Sequence, residues 1–389
     1  MRGESAKPPG PRLLLALLLG AAAGALVGPR TAVLQPLAEA QLLLLKVLAV
    51  PVVVASILKG VGGVSLRQLG GLGLRLAAAY ALLALAATTA GAVVAGLLFD
   101  VAATPALASG DAGHAGARRP LLAGWADGLT LDHAIPIALV AALALALATA
   151  AWRERVGPAA ALGRAFLRFH AVTDLALQVV LWLLPLGVFA LVAIAVGSAS
   201  LETARRLGLA LVAVYAAQAL VALFLLALAP SPRPLLAAAR EALVTAFATG
   251  SSAASLPVEQ RAAEAGLGRD PATAAFALSL GANVCKAGTA AFLGALSIAA
   301  FALSGREATA GELGAVALVA TVAAIATPPV TGGGFVMLAF VASQVDLPLD
   351  LVAALLALPL VGKANTPLNA LGRLVCVARL VPARAPASV

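Results

Sequence analysis

The residues best placed to do chemistry sit at polar interruptions in an otherwise membrane-grade apolar sequence. They fall in four clusters, at residues 250–255, 281–289, 327–334 and 362–369. The first holds Gly250, Ser251, Ser252 and Ser255. The second runs Gly281-Ala282-Asn283-Val284-Cys285-Lys286-Ala287-Gly288-Thr289, and the third carries Pro328, Pro329, Thr331 and three consecutive glycines. The fourth holds Gly362, Lys363, Asn365, Thr366, Pro367 and Asn369. Gly362, Thr366, Asn369 and Arg373 fall at i, i+4, i+7 and i+11, one stripe of a single helix. Lys286 lies ~20 Å or more along its apolar run from Asp270 and Arg306, too deep to snorkel with ease. An ammonium at that depth costs about 3 kcal/mol on insertion scales, so a functional role is its default reading, with burial against carbonyls freed at a broken helix as the bland one. The chemistry these groups suggest is anion binding by hydroxyls, amides, half-helix N-termini and fixed cations. Bond making is not suggested: His114, His133 and His170 lie near segment ends, and no nucleophile–base pair is visible.

Lipid offers no hydrogen bonds, so interrupted backbone survives at membrane depth only inside protein or around a water-filled cavity. Such breaks close together in sequence predict a binding site near the bilayer midplane, as in secondary transporters. Composition agrees. The 389 residues are 62% hydrophobic and only 11% charged, against roughly 25% charged in soluble domains. Long leucine–alanine runs recur, most near or above the ~20 residues that a spanning helix needs. Strict alternation, which would signal a membrane barrel, is absent. The net charge of +9 does not imply nucleic acid. Arginines and lysines concentrate at one set of alternate loops (Lys59, Arg67, Arg153, Arg155, Arg233, Arg240) and thin out on the other (Arg30, Arg118, Arg119, Arg306), which predicts cytoplasmic termini. The N-terminal 28 residues share a basic start and an apolar run with signal peptides, yet read as a first span. Cys285 and Cys376 both lie in apolar segments, so no disulfide framework is expected.

Six ordinary spans are expected over residues 1–229. A core follows over residues 235–380: a re-entrant hairpin (235–258), a seventh span (271–304), a second hairpin from the opposite face (313–345) and an eighth span (349–378). Two opposed hairpins, each followed by a span, form an inverted repeat. The expected class is therefore all-α and polytopic, with about eight transmembrane helices and two re-entrant hairpins.

Several stretches resemble the dicarboxylate/amino acid:cation symporters, the glutamate-transporter family. Lys46-Val47-Leu48…Pro51 is similar to a second-span motif, and Pro185-Leu186-Gly187-Val188-Phe189 to a fifth-span motif. Ser251-Ser252-Ala253-Ala254-Ser255-Leu256-Pro257 is similar to the family's first hairpin tip, and Val330-Thr331-Gly332-Gly333-Gly334…Met337-Leu338 to its second. The resemblance implies a trimer whose transport domains cross the bilayer as elevators, with the second hairpin as gate. It implies a substrate site built from Ser251, Ser252, Thr289, Val330, Gly332, Thr366 and Asn369, with Asn283, Lys363 and Asn365 as further candidates. Thr366 and Asn369 also admit a plain structural role, bonding within or between helices.

Departures from the family pattern matter as much. The aspartate for a substrate amino group is Gly362 here, and the arginine for a side-chain carboxylate is Asn365. The two sodium-binding aspartates are Ala287 and Arg373. Of a third-span Tyr-x-x-Thr-Ser cluster only Tyr80 remains. Sodium wants hard oxygen ligands, yet from Pro271 to Leu380 the only acids are Glu307, Glu312, Asp346 and Asp350, all in loops. No carboxylate is therefore expected in the core. Lys286 and Arg373 are expected to act as tethered cations at the former ion sites, although Arg373 lies close enough to its helix end to snorkel. A main-chain sodium site near Thr327 is left open. The expectation is an inner-membrane homotrimeric carrier of small organic anions or amino acids, largely sodium-independent, with no cofactor, no bound metal and no nucleic-acid partner. A non-transporting sensor or an anion channel on the same fold is the alternative.

Overall fold

The computed structural model describes residues 10–41, 69–99, 201–306, 308–329, 333–345 and 362–384, a short apolar helix over Pro185–Ile194, and isolated helical positions at 44, between 172 and 183, at 196 and 197, and at 355. Among these, regular structure is helical apart from one isolated bridge between Arg269 and Ala383. The all-α reading therefore holds. In chain order the helices are α1 (Gly10–Val27), α2 (Leu74–Phe99), α3 (Leu201–Leu228), α4 (Pro232–Thr249), α5 (Ser252–Arg261), α6 (Pro271–Val284), α7 (Ala287–Leu303), α8 (Ala310–Ala326), α9 (Gly333–Gln344) and α10 (Asn365–Leu380).

Three described stretches are long and apolar enough to cross a bilayer: Gly71–Phe99, Arg205–Leu228 and Pro271–Leu303. The third contains α6 and α7 and is 94% buried, against 39% for each of the others. It is the axis around which the rest packs. Small residues make this possible. A Cβ on Gly91 of α2 would stand 2.3 Å from the Ala291 carbonyl, and one on Gly294 of α7 would stand 2.2 Å from the Thr88 carbonyl. Glycine lets the two backbones touch, the usual device of membrane helix pairs.

The first two polar clusters break helices over a shorter stretch than their composition suggests, and the other two stand where α8 ends and where α10 begins. Gly250 closes α4 in the left-handed region (φ +62°), and Ser251 then caps α5 by accepting from the Ala254 N–H at 3.4 Å. Only Cys285 and Lys286 separate α6 from α7. Thr327 ends α8, its hydroxyl turned back to the Ala323 carbonyl at 2.9 Å. Asn365 opens α10, and Gly362 lies in the turn before it at φ +80°. Gly362 is thus not on the α10 stripe, because the described helix begins three residues later. Val330 and Gly332 lie outside the described residues, as does most of 349–361.

Side chains cap the starts of α6 and α8. Asp270 accepts from the Thr273 N–H at 2.9 Å and from its hydroxyl at 2.5 Å to start α6. Those two bonds, hydroxyl first, hold its carboxyl below the usual carboxylate range. Thr309 and Glu312 form a reciprocal capping box at α8.

Candidate functional site

The breaks converge on α7 and α10, and three groups of side chains meet there. The first group is an ion pair. Arg373 donates from Nε to Glu259 Oε2 at 2.7 Å and from Nη2 to Glu259 Oε1 at 2.6 Å, with both side chains fully buried. Ser255 donates to Glu259 Oε1 at 2.7 Å, and Arg373 Nη1 reaches Ser252 Oγ at 3.5 Å. The fork-on-carboxylate geometry is the strong form of this contact. A Cβ on Gly281 would stand 2.8 Å from Arg373 Cγ and 2.9 Å from the Tyr80 hydroxyl, so the bare glycine makes room for the arginine stem.

This pair corrects two expectations. The protein interior does hold a carboxylate: α5 stays helical through Arg261 and carries the buried Glu259 on the same face as Ser252 and Ser255, seven and four residues earlier. Arg373 neither snorkels nor stands as an unbalanced tethered cation. Its charge is matched by Glu259.

Lys286 differs. It is 1% exposed and occupies the N-cap of α7. It lies within electrostatic reach of Arg373, Cys285 and Glu259, but no acceptor among the described residues hydrogen-bonds its ammonium. Arg373 and Glu259 pair with each other, which leaves Lys286 without a salt-bridged carboxylate among the described residues.

The second group is built on Asn369. Its Oδ1 accepts from the N–H of Gly288 at 2.9 Å and of Thr289 at 3.3 Å, while its Nδ2 donates to Thr289 Oγ1 at 3.1 Å. A side chain from α10 thus caps the half-helix α7. Gly288 permits the approach, since a Cβ there would meet the Asn365 carbonyl at 2.3 Å. Thr366 is buried beside it on the first turn of α10.

The third group surrounds Asn365. Its Oδ1 accepts from Gln218 Nε2 of α3 at 2.6 Å. A Cβ on Gly362 or Gly334 would stand 3.2 or 3.4 Å from Asn365 Nδ2, with the Phe292 ring at 3.5 and 3.7 Å. Phe335 closes the other side, tilted against Phe292 with ring centroids 6.5 Å apart. Two peripheral candidates stand apart. Asn283 is half-buried and donates to the Ser279 carbonyl at 3.1 Å within α6. Lys363 is half-buried in the turn before α10.

The first and second tips touch. The Ser251 hydroxyl and the Ala253 N–H both donate to the Pro329 carbonyl, at 3.0 and 3.3 Å. Sequence reading missed two residues of this assembly. Glu259 was legible as a continuation of the Ser252–Ser255 face. Gln218 was legible as an amide in the middle of an apolar span. The arrangement offers hydroxyls, amides, a half-helix N-terminus and a buried ammonium, which suits holding an anion. Among the described residues, no three His, Cys, Asp or Glu side chains come together as a metal site.

Comparison with known proteins places these features in context. A family model described as the sodium:dicarboxylate symporter family matches residues 10–381. An excitatory amino acid transporter of Caenorhabditis elegans is 29% identical over 202 residues, covering 50% of this chain and 40% of the relative. The serine/threonine transporter SstT of Acinetobacter baumannii is 32% identical over 176 residues, 43% of this chain and 44% of the relative. Excitatory amino acid transporter 2 of Homo sapiens is 27% identical over 217 residues, 52% and 38% respectively. The matched stretch spans less than half the length of each of these curated relatives.

Proposed function

Since the chain belongs to the sodium:dicarboxylate symporter family, a family of multi-pass membrane transporters rather than enzymes, we propose that it carries small carboxylate-bearing solutes, of the dicarboxylate or amino acid class, largely without sodium. The relatives named above are transporters of amino acids by their names, which supports the substrate class. The carrier works by elevator alternating access, as a homotrimer in the cell inner membrane with both termini cytoplasmic. Ser251, Ser252, Thr289, Val330, Gly332, Thr366 and Asn369 are its substrate-binding residues in this reading.

The observation that carries this reading is Lys286. A buried ammonium with no acceptor among the described residues, at the N-terminus of a half-helix, creates a strong local preference for an anion. It stands next to Ala287, where the resemblance places one sodium-binding aspartate. Arg373 stands where it places the other and is already paired with Glu259. A covalently fixed cation cannot dissociate, so it stores no ion gradient. The carrier then equilibrates or exchanges its substrate rather than concentrating it at the expense of sodium.

Purified protein in vesicles tests this. Uptake of labelled succinate and of labelled amino acids is measured with and without an inward sodium gradient. Saturable uptake that ignores the gradient supports the reading, and steep saturable sodium dependence refutes the tethered-cation part. Bulk conductance would instead support the channel alternative, and binding without flux the sensor.

A further inference from the structure

Gln218 lies in the middle of an apolar span, is 2% exposed, and has a side-chain oxygen with no hydrogen-bond partner. Buried amide oxygens are nearly always satisfied, so an orphan asks for an explanation. The neighbours supply one. Gln218 Nε2 faces Asn365 Oδ1 at 2.6 Å and the main-chain carbonyl of Gly288 at 3.5 Å. A main-chain carbonyl can only accept. Turning the glutamine amide over would set its oxygen against that carbonyl, so the nitrogen stays on this side and the oxygen is left without a partner. The choice propagates. With a donor opposite it, the Asn365 amide must turn its oxygen towards Gln218 and its nitrogen the other way.

Asn365 Nδ2 therefore faces Gly334, Gly362 and the rings of Phe292 and Phe335, the surround taken here as the chamber for a ligand end. Among the described residues it meets no acceptor there. The aromatic rings offer none; a Cβ at Gly362 would press on Nδ2 at 3.2 Å, and one at Gly334 would touch it at 3.4 Å. The chamber thus displays a hydrogen-bond donor. It suits a ligand end that accepts and repels one that donates.

We propose that Gln218 is a positioning residue that locks the Asn365 amide with its NH2 towards the chamber, and so selects ligands whose second end is a carboxylate, carbonyl or hydroxyl over those ending in an ammonium. The inference rests on the reading of α10 as the substrate-binding helix. It adds a relay from a third helix that sets the polarity of the pocket.

Succinate and β-alanine are suitable probes. Each has a carboxylate and a two-carbon spacer, and they differ only in ending in a second carboxylate or an ammonium. Calorimetric titration of the full-length purified protein gives a Kd for each. The wild type binds succinate more tightly. Gln218→Glu replaces the donor by an acceptor, so the Asn365 amide turns over and offers its oxygen to the chamber. The succinate-to-β-alanine preference then moves by about tenfold or more towards β-alanine, as expected when a site's buried polar partner is reversed. Two further variants cover the chance that a buried carboxylate at 218 prevents folding. Gln218→Met removes the lock and lowers the preference several-fold, and Asn365→Asp, which presents only acceptors, shifts it towards β-alanine without involving position 218.

An unchanged ratio in folded Gln218→Glu, or in folded Gln218→Met if the former does not fold, overturns the relay. So does a wild type that does not bind succinate. Asn369→Ala separates the two levels of the argument. If it abolishes binding of both probes while the position 218 variants leave the ratio untouched, only the relay fails. If it binds both as the wild type does, the reading of α10 fails with it.

Discussion

Cutting one side of the Arg373–Glu259 pair should be among the most damaging single changes this chain can suffer. Both side chains are fully excluded from solvent and joined by two bonds of 2.6–2.7 Å. Glu259→Gln leaves a guanidinium buried without its counter-charge. Breaking such a pair typically costs about 3–5 kcal/mol, a fifth or more of the ~5–15 kcal/mol that holds an ordinary domain together. Removing both partners is a different matter. Glu259→Met with Arg373→Met replaces the pair by apolar volume, which elsewhere is neutral or stabilising by about 1–4 kcal/mol. Here Ser255 loses its acceptor, which returns about 1 kcal/mol of that. The double variant should therefore fall within ~1–2 kcal/mol of the wild type, with each single variant far below it. Equilibrium unfolding in mixed detergent–SDS micelles across the four proteins reads the coupling directly. Glu259→Gln also uncovers a second positive charge beside Lys286, so succinate affinity should hold or rise as stability falls. Single variants within ~0.5 kcal/mol of the wild type, or a purely additive cycle, would mean that α5 and α10 do not meet through this pair.

Lys286→Met should weaken anion binding, and added sodium should not restore it; titration of succinate with and without sodium chloride decides this against a choline control. Ser252→Ala and Asn369→Ala should each lower affinity by about 1–3 kcal/mol, and Asn369→Ala should also raise amide exchange at Gly288 and Thr289, which lose their cap. A cysteine pair replacing Ser251 and Pro329 should crosslink under oxidant and block flux, whereas full flux in a fully crosslinked sample would rule out tip separation as a transport step. Gly294→Val should destabilise by about 1–3 kcal/mol through overpacking against the Thr88 carbonyl, measurable as a lowered Tm. Asp270 holds its proton less tightly folded than unfolded, so its cap is intact at neutral pH and is lost as pH falls through its lowered pKa; amide exchange at Thr273 should rise only in that acid range.

Where the chain would break was legible in the sequence, because glycine, proline and serine interrupt apolar runs that have no other reason to stop. How far each break extends was not. Ala282, Asn283 and Val284 stay helical in α6, and Ser252 to Ser255 already belong to α5, since intrahelical bonds persist wherever neighbouring helices cover the backbone. The identity of the buried polar residues was read correctly for Lys286, Thr289 and Asn369, whose depth follows from counting along a helix. It was misread for Glu259. A charge four residues after Ser255 looks like the start of a solvated loop unless the helix is carried on through Pro257. Pairing was the harder part. Nothing in the sequence neighbourhood of Arg373 points to a partner more than a hundred positions away, and Gln218 shows its role only once α3, α7 and α10 are packed together.

For the proposed carrier, the meeting of the two tips bears on how the return stroke would run. Pro329 brings a carbonyl and, as a proline, no N–H, so its contact with the first tip runs one way: Ser251 and Ala253 give, Pro329 receives. Those two donors are of the kind an incoming carboxylate would occupy. Here the opposite tip satisfies them instead. In the proposed carrier, cargo and the second tip would compete for the same hydrogen atoms, so the tips could meet without stranding polar groups in a dry interior. On the proposed elevator mechanism such a closure would let the carrier return without cargo, favouring net movement down a gradient over strict one-for-one swapping.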